Sequence, residues 1–265
     1  MMHLVAKTPK EFREYWNGEL NFLLGSDLFE FQMDLPSAEE IVDILRQDSE
    51  ARIQFLDDSL DDAEKNDLAE KFKAAPIEDA MEMPMSLAHF YLQNFYGVGQ
   101  FLERFQDCVM IPWRTFLSGL GFTWQRCYPI IFISGKGRRS TYHADSSHVL
   151  AWQVYGEKHF HGFLEPEKRE PVQKLVEDRT GIARITIPEI DPEDVLTYDM
   201  VTGDLLWNQL LTPHWVDAGD DQVAVSINIS HGGVAYRGEY CPNEQVMRKY
   251  WEKNPERAWT VDERY

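Results

Sequence analysis

The chain has 265 residues, of which 43% are hydrophobic and 13% aromatic, enough to build the core of one large domain. Its 26 basic and 45 acidic residues give a formal net charge of −19. Such a charge argues against binding to nucleic acid or to an anionic membrane surface. We interpret the acidic residues as a solvated surface, with steering of a cationic substrate as the alternative.

The cysteine pattern and the apolar runs bear on the compartment. Cys108, Cys127 and Cys241 include no CxxC pair, so they fit neither a disulfide framework nor a zinc knuckle. The first residues lack the apolar segment of a signal peptide, and no run approaches the ~18 apolar residues of a membrane span. We therefore expect a cytoplasmic protein with reduced thiols and no membrane partner.

The first half of the chain carries helix signals. Thr8 precedes Pro9, and Ser37 precedes two acidic residues, so both are predicted N-caps. A short apolar alternation at Ile53 and Phe55 predicts a strand. Helical spacing of apolar residues or helix-start signals predict further helices at 61–73, 86–109 and 113–120 and after Pro242.

From residue 123 the pattern changes to period two with many β-branched residues. It predicts strands near 126–134, 140–145, 148–155, 157–164, 184–187, 195–199, 204–209, 214–217 and 222–230. Many short strands at even spacing are typical of a sandwich or barrel. We therefore predict a mainly helical region at 1–122 that packs on the core, a β core at 123–235 and a C-terminal helical tail at 236–265.

A candidate metal site begins with His143 and Asp145, two residues apart on a predicted strand. Alternation puts both side chains on one face with Cα atoms ~6.6 Å apart, although such a pair also fits an exposed polar strand end. The candidates for a third ligand are His148, His159, His161, His214 and His231. His214 is favoured because it begins a late strand. Two histidines and one carboxylate suit Fe(II) that activates oxygen, whereas catalytic zinc also takes three protein ligands.

Lys158 is the second unusual residue. Strand alternation predicts that its side chain shares a face with the apolar residues Leu150, Trp152 and Val154. A lysine on an inward face needs an anion, because burying an unpaired ammonium is costly. The alternative is that its stem packs while the ammonium group reaches solvent. The functional hypothesis is that Lys158 binds the carboxylate of a small acid beside the metal.

Four segments in this order resemble the JmjC/cupin-like Fe(II)- and 2-oxoglutarate-dependent oxygenases: SGKGRRSTYHAD, QVYGEKHFHGF, GDLLWNQLLTPHWV and VAVSINIS. They resemble the strand of the first histidine, the strand of a lysine fifteen residues later, the segment of the second histidine and the strand after it. The resemblance covers roughly the C-terminal half. It departs from some members at Val149, where they have asparagine, and at Pro213, where many have an aromatic residue. Both departures bear on the pocket and hence on substrate.

The resemblance implies an α+β fold, in which a double-stranded β-helix (jelly-roll or cupin) core carries an N-terminal helical region and a C-terminal helix. It implies that Fe(II) binds His143, Asp145 and His214, and that Lys158, assisted by Ser140, binds 2-oxoglutarate. Asn228 falls near the cosubstrate position. The implied activity is an O2-dependent dioxygenase that hydroxylates a small molecule or a peptide or protein side chain.

Substrate and assembly rest on weaker signals. Arg138 and Arg139 are candidates to receive an acidic substrate, with a solvated loop as the alternative. The aromatic candidates for the pocket are Trp124, Tyr128, Trp207 and Trp215. His148 is expected either near the metal or facing solvent. The competing functions are a non-catalytic cupin-like protein and a zinc-type cupin that binds a small metabolite. The family also suggests a homodimer, for which the C-terminal helix offers Met247, Tyr250 and Trp251.

Overall fold

The secondary structure comes from a computed structural model, which describes residues 3–55, 59–178 and 191–258. The helices are α1 (Pro9–Trp16), α2 (Ala38–Arg46), α3 (Asp62–Ala74), α4 (Ile77–Met81), α5 (Ile111–Gly119), α6 (Pro166–Arg169), α7 (Val172–Glu177) and α8 (Pro242–Lys253). The strands are β1 (Val5–Ala6), β2 (Phe22–Leu24), β3 (Arg52–Gln54), β4 (Ser86–His89), β5 (Phe122–Thr123), β6 (Arg126–Ser134), β7 (His148–Tyr155), β8 (Lys158–Phe163), β9 (Val195–Met200), β10 (Leu205–Asn208), β11 (His214–Ala218), β12 (Ala224–Gly232), β13 (Ala235–Tyr236) and β14 (Glu239–Tyr240).

These strands form a mixed α/β structure with three sheets. The large sheet has eight strands in the order β1-β2-β10-β7-β12-β6-β4-β3, and the small sheet has the order β11-β8-β9. A further three-stranded sheet has the order β14-β13-β5. Strand β12 pairs antiparallel with both β6 and β7, so it lies in the middle of the large sheet.

The two faces of the large sheet differ in chemistry. Ile227 and Ile229 of β12 are fully buried in the main hydrophobic core, together with aromatic residues of α1 and α5 such as Phe12 and Trp113. Because side chains alternate along a strand, Ser226 and Ser230 point to the opposite face. That second face meets the small sheet, where the Lys158 ammonium of β8 reaches Ser226. We call the space between the two sheets the interior.

The predicted helix starts are confirmed. The Thr8 hydroxyl accepts a hydrogen bond from the Glu11 amide, and the Ser37 hydroxyl accepts one from the Glu40 amide, both at 3.2 Å. Helix α3 begins with a full capping box between Asp61 and Glu64. Helices at 113–120 and after Pro242 are also present, as α5 and α8.

The predicted long helix at 86–109 is wrong. Residues Ser86–His89 form strand β4, which pairs with β6, and a short 3-10 turn follows at Leu92–Phe95. Leu87 and His89 are buried while Ser86 and Ala88 are less so, so the local period is two. Gly99, at φ +79°, interrupts the segment. Helical geometry returns at Gln106–Met110, a π-helical turn that leads into α5, so only the last residues of the predicted helix are helical.

Most predicted strands of the second half are confirmed within a residue or two. The exception is 140–145, which forms no named strand: His143 makes an isolated bridge to His214, and Arg139, just before the range, makes one to Asp217. The predicted strand at 184–187 lies outside the described residues. Strands β1 to β4 add the first half of the chain to the large sheet, so the domain division at residue 122 stays a prediction. None of the described helices is both long and apolar enough to cross a membrane.

Candidate metal centre

Backbone pairing brings the two halves of the candidate metal site together. The His143 amide donates to the His214 carbonyl at 2.9 Å, and the His214 amide donates to the His143 carbonyl at 2.7 Å. This pair joins the irregular segment before β7 to the first residue of β11. The two imidazole centroids are 4.3 Å apart as a result.

Asp145 completes a compact triad. Its Oδ1 lies 4.0 Å from His143 Nε2, and its Oδ2 lies 3.7 Å from His214 Nε2. The three ligand atoms lie within 4.8 Å of one another, and within the described ranges this is the group of His, Cys, Asp or Glu side chains that could hold a metal ion. The preference for His214 over the other histidines agrees with this geometry.

Hydrogen bonds fix which nitrogen each histidine turns toward the centre. His143 Nδ1 lies 2.7 Å from the Thr141 carbonyl, and His214 Nδ1 lies 3.0 Å from the Thr212 carbonyl. A carbonyl oxygen only accepts, so both Nδ1 atoms carry the proton and both Nε2 atoms present a lone pair. Metal-binding histidines usually have such a partner, which sets the tautomer and the ring orientation.

Further contacts hold Asp145 and His214 in place. Asn208 of β10 donates from Nδ2 to Asp145 Oδ2 at 2.8 Å, which orients the carboxylate. The His214 ring stacks on Phe160 with centroids 4.7 Å apart. Burial, followed by the neighbouring His143, lowers the pKa of His214 to about 4. The imidazole is therefore neutral at physiological pH, the form that binds a metal.

Lys158 is buried, with only 6% of its surface exposed. Its ammonium donates to the Ser226 hydroxyl at 2.8 Å and to the Phe132 carbonyl at 3.1 Å, and both partners are neutral. Burial lowers the pKa of Lys158 to about 7. An ammonium in this position needs a negative charge that the described residues do not supply as an ion pair within 4 Å. The inward prediction is confirmed, and the alternative with a solvated ammonium is wrong.

A glycine turn explains how Lys158 enters the interior. Gly156 joins β7 to β8 with φ +67°, and a Cβ there would lie 2.6 Å from the Val223 carbonyl oxygen. The chain changes sheets at this turn, so strand alternation does not continue through it. Leu150 and Trp152 belong to the main core on the opposite face of the large sheet. The parity argument that grouped them with Lys158 was therefore wrong, although its conclusion about Lys158 holds.

Two other cosubstrate candidates flank this region. The Ser140 hydroxyl accepts from the Val216 amide at 2.9 Å and donates to the Thr141 carbonyl at 3.1 Å, so it ties the segment before His143 to β11. Asn228 lies two residues after Ser226 on the interior face of β12, and its buried Oδ1 has no hydrogen-bond partner among the described residues. Direct contact of either residue with a cosubstrate stays a prediction.

The six substrate candidates are scattered. Arg139 forms an exposed ion pair with Asp217 at 2.6 Å, and the Arg138 carbonyl accepts from the Ala218 amide. Tyr128 pairs with Ser230 across β6 and β12, on the interior face. The remaining candidates are packed elsewhere: Trp124 and Trp207 against the main core, and Trp215 against Tyr142 and Phe163. Trp207 lies on the opposite face from Asn208, so the structure does not bring it to the triad.

His148 neither binds the triad nor faces solvent. It is fully buried, and its Nδ1 accepts from the Leu210 amide at 3.2 Å. The solvent-facing prediction is wrong because His148 is the first residue of β7 and turns toward the main core beside Trp207, with ring centroids 5.3 Å apart. The sequence analysis did not identify Ser226 as the partner of Lys158. Its position between the apolar residues Val225 and Ile227 could have indicated that its hydroxyl faces the other side of the sheet.

No protein-family model and no curated protein matches the sequence. The fold matches the ribosomal oxygenase YcfD from Escherichia coli, at 16% identity and a TM-score of 0.52 over 99% of this chain. A second YcfD structure, in complex with cobalt and succinic acid, matches at 15% identity and a TM-score of 0.53 over 98% of this chain.

The chain spans 61% and 59% of the lengths of those two YcfD chains. Identities of 15–16% make this a likeness of fold. The chain thus has a YcfD-like fold.

Proposed function

We propose that the chain is a non-haem Fe(II)- and 2-oxoglutarate-dependent dioxygenase that hydroxylates its substrate, built on a double-stranded β-helix. The observation that carries the proposal is the shared interior of the triad and Lys158. Two histidines and one carboxylate converge on one point, and a buried ammonium with neutral partners lies between the same sheets. A metal ion held by the triad, with open positions left, and a dicarboxylate bound by Lys158 would satisfy both halves.

The residues fit Fe(II) and 2-oxoglutarate. The donor set, two imidazoles and a carboxylate, is that of oxygen-activating Fe(II) sites. The Lys158 ammonium can donate a charge-assisted hydrogen bond to the distal carboxylate of 2-oxoglutarate. YcfD, which has this fold, was solved with cobalt and succinic acid, a metal and a dicarboxylic acid.

When bound, Fe(II) and 2-oxoglutarate supply oxidative decarboxylation with O2 and a hydroxylating oxidant. His143, Asp145 and His214 hold the iron, and Asn208 keeps the Asp145 carboxylate oriented. Lys158 binds the distal carboxylate of 2-oxoglutarate. Phe160, Ala151 and Leu206 are buried together near the small sheet and limit the water that reaches the reacting atoms.

The test is an anaerobic titration of the Fe(II)-loaded protein with 2-oxoglutarate, followed by its visible charge-transfer band. We expect saturation in the wild type and at least a tenfold higher midpoint in Lys158→Met, which keeps the stem and removes the charge. Lys136→Met is the matched control, because it removes a lysine whose ion pair with Glu82 lies on the surface. Absence of the band in the wild type would exclude 2-oxoglutarate and favour the metal-binding cupin alternatives.

Assembly and compartment stay predictions alongside this function. Met247 is buried and packs with α7 residues Val172, Leu175 and Val176 of the same chain, with Tyr250 and Trp251 beside them. The helix face proposed for a homodimer is therefore largely occupied within the chain. A small molecule or a protein side chain remains the proposed substrate, and the cytoplasm the proposed compartment.

A further inference from the structure

A polar cavity of about 210 Å³ lies between the end of the large sheet and helix α8. Its lining includes Arg126 of β6, His231 and Gly232 of β12, and Glu244, Arg248 and Trp251 of α8. None of these side chains belongs to the triad or contacts Lys158. The cavity is therefore a separate feature of the fold that the proposed chemistry has not used.

The register of β12 relates the cavity to the proposed active site. Along its interior face, Ser226 contacts the Lys158 ammonium, Ser230 contacts Ser147 at 2.9 Å, and Gly232 lines the cavity. Six residues of strand separate Ser226 from Gly232, or ~20 Å. Ser146, directly after Asp145, also lines the cavity. The triad therefore lies between the lysine at one end of the strand and the cavity at the other.

Arg126 is the unusual side chain of the cavity. It pairs with Gly232 across β6 and β12, and a Cβ on Gly232 would lie 2.4 Å from its Nη2 atom. The guanidinium thus lies flat over a residue that has no side chain. Within residues 3–55, 59–178 and 191–258 its guanidinium makes no hydrogen bond and no ion pair shorter than 4 Å. Glu244 is its acidic neighbour, because the charge of Arg126 opposes the rise that burial causes in the pKa of that carboxyl.

The other polar groups of the cavity are partly satisfied. Arg248 donates to Glu244 Oε1 from Nε at 2.9 Å and from Nη2 at 2.7 Å. Glu244 Oε2 is buried without a hydrogen-bond partner among the described residues and lies 4.0 Å from His148 Nε2. His231 Nε2 accepts from the Trp113 indole at 2.7 Å, so its Nδ1 carries the proton and is likewise unpaired among the described residues. Arg126, Arg248 and Glu244 together carry one net positive charge.

We propose that this cavity binds an α-carboxylate and the N–H group beside it, in a substrate of the oxygenase proposed above. Arg126 donates to the carboxylate through its fork of N–H groups. Glu244 Oε2 accepts the adjacent N–H, and Trp251 and Met247 contact the side chain. Two sources share this chemistry: a free amino acid and the C-terminal residue of a peptide. The assignment rests on the proposed function, since it places the oxidised C–H bond beside the triad.

The test measures binding by calorimetry, on protein loaded anaerobically with Fe(II) and 2-oxoglutarate. The probes are the twenty free amino acids, their N-acetyl derivatives and their C-terminal amides. We expect one or more free or N-acetylated acids to bind, and the matching amides to bind at least tenfold more weakly. A free acid that binds better than its N-acetyl form indicates a free amino acid, and the reverse indicates a peptide end.

The variants are chosen to separate this proposal from the proposed function. Arg126→Met should weaken the selected acid at least tenfold, about 1.4 kcal/mol, while Arg126→Lys keeps part of the affinity and Lys136→Met keeps all of it. The charge-transfer band is recorded on the same samples. A saturating band without binding of any acid, or equal binding of acids and amides, overturns the cavity assignment. Acid binding without a band overturns the oxygenase proposal instead.

Discussion

Two pairs of histidines face each other across neighbouring strands, and only one of them forms a candidate metal site. His143 lies opposite His214, and His148 lies opposite His231. In the first pair both Nε2 atoms point toward Asp145, which is one-third exposed. In the second pair the imidazoles are fully buried, and burial lowers the pKa of each to about 3.

The difference between the pairs lies in what the free nitrogen meets. His231 Nε2 accepts from the Trp113 indole, and His148 Nδ1 accepts from the Leu210 amide, so both act as hydrogen-bond acceptors inside the main core. The triad histidines use their Nδ1 hydrogens on backbone carbonyls and keep Nε2 for another partner. Residue type and strand position are alike, so the hydrogen-bond direction decides the role of each histidine.

The largest expected effect is on metal affinity. Asp145→Ala removes the only carboxylate of the triad, so we expect Co(II) affinity to fall by more than about a hundredfold, beyond the 10–100-fold typical of outer-shell changes. The measurement is a titration of the cobalt absorption bands. An unchanged affinity would mean that the ion binds elsewhere.

A substitution in the second histidine pair should leave metal binding intact and lower the free energy of unfolding. His231→Ala opens a cavity in the main core and leaves the Trp113 N–H without its acceptor, so we expect a loss of about 3 kcal/mol in unfolding free energy. Urea unfolding measures it, and the cobalt titration serves as the control. A loss of cobalt binding with normal stability would contradict the assignment of His231 to the core and of the other pair to the metal site.

A smaller effect tests the support of the first pair. Asn208→Leu removes the hydrogen bond to Asp145 Oδ2 at similar volume, so we expect Co(II) affinity to fall about tenfold, at the low end for a second-shell partner. The far-ultraviolet spectrum should stay unchanged, since Asn208 lies on the interior face. Wild-type affinity in this variant would show that the carboxylate is oriented without it.

The smallest effect concerns acid stability. Unfolded histidines bind a proton near pH 6.5, whereas His148 and His231 stay neutral to about pH 3. The unfolded state therefore binds more protons between these values, and unfolding free energy falls as pH falls through this window. In His231→Gln we expect the slope between pH 6 and 4.5 to be shallower by up to about 1.4 kcal/mol per pH unit. An unchanged slope would contradict a neutral His231.

The sequence predicted the site better than it predicted the first half of the fold. His143, Asp145 and His214 could be selected because their spacing and strand context are local signals. The prediction for 86–109 failed at its start because Ser86–His89 pairs with β6 as strand β4, and the helical spacing of the apolar residues gave no sign of that pairing. Tertiary pairing is not encoded in a short window.

The sequence also left out how the site is supported. Asn208 holds Asp145 from a strand more than sixty residues away, and Ser226 meets Lys158 at a similar separation. Contacts of this kind depend on the register between strands of different sheets. Trp207 shows the converse, because it lies next to Asn208 in sequence and yet packs in the main core.

The Gly156 turn has a consequence for how this site tolerates change. The position of the Lys158 ammonium depends on a backbone crossing that excludes every side chain, since even a methyl group would meet the Val223 carbonyl. Gly156 has no side chain, so its residue type does not mark it as part of a binding site. A substitution there would displace Lys158, for which we propose anion binding, while leaving the candidate metal ligands in place. Such a variant would resemble one with a damaged fold although its effect is on the proposed ligand.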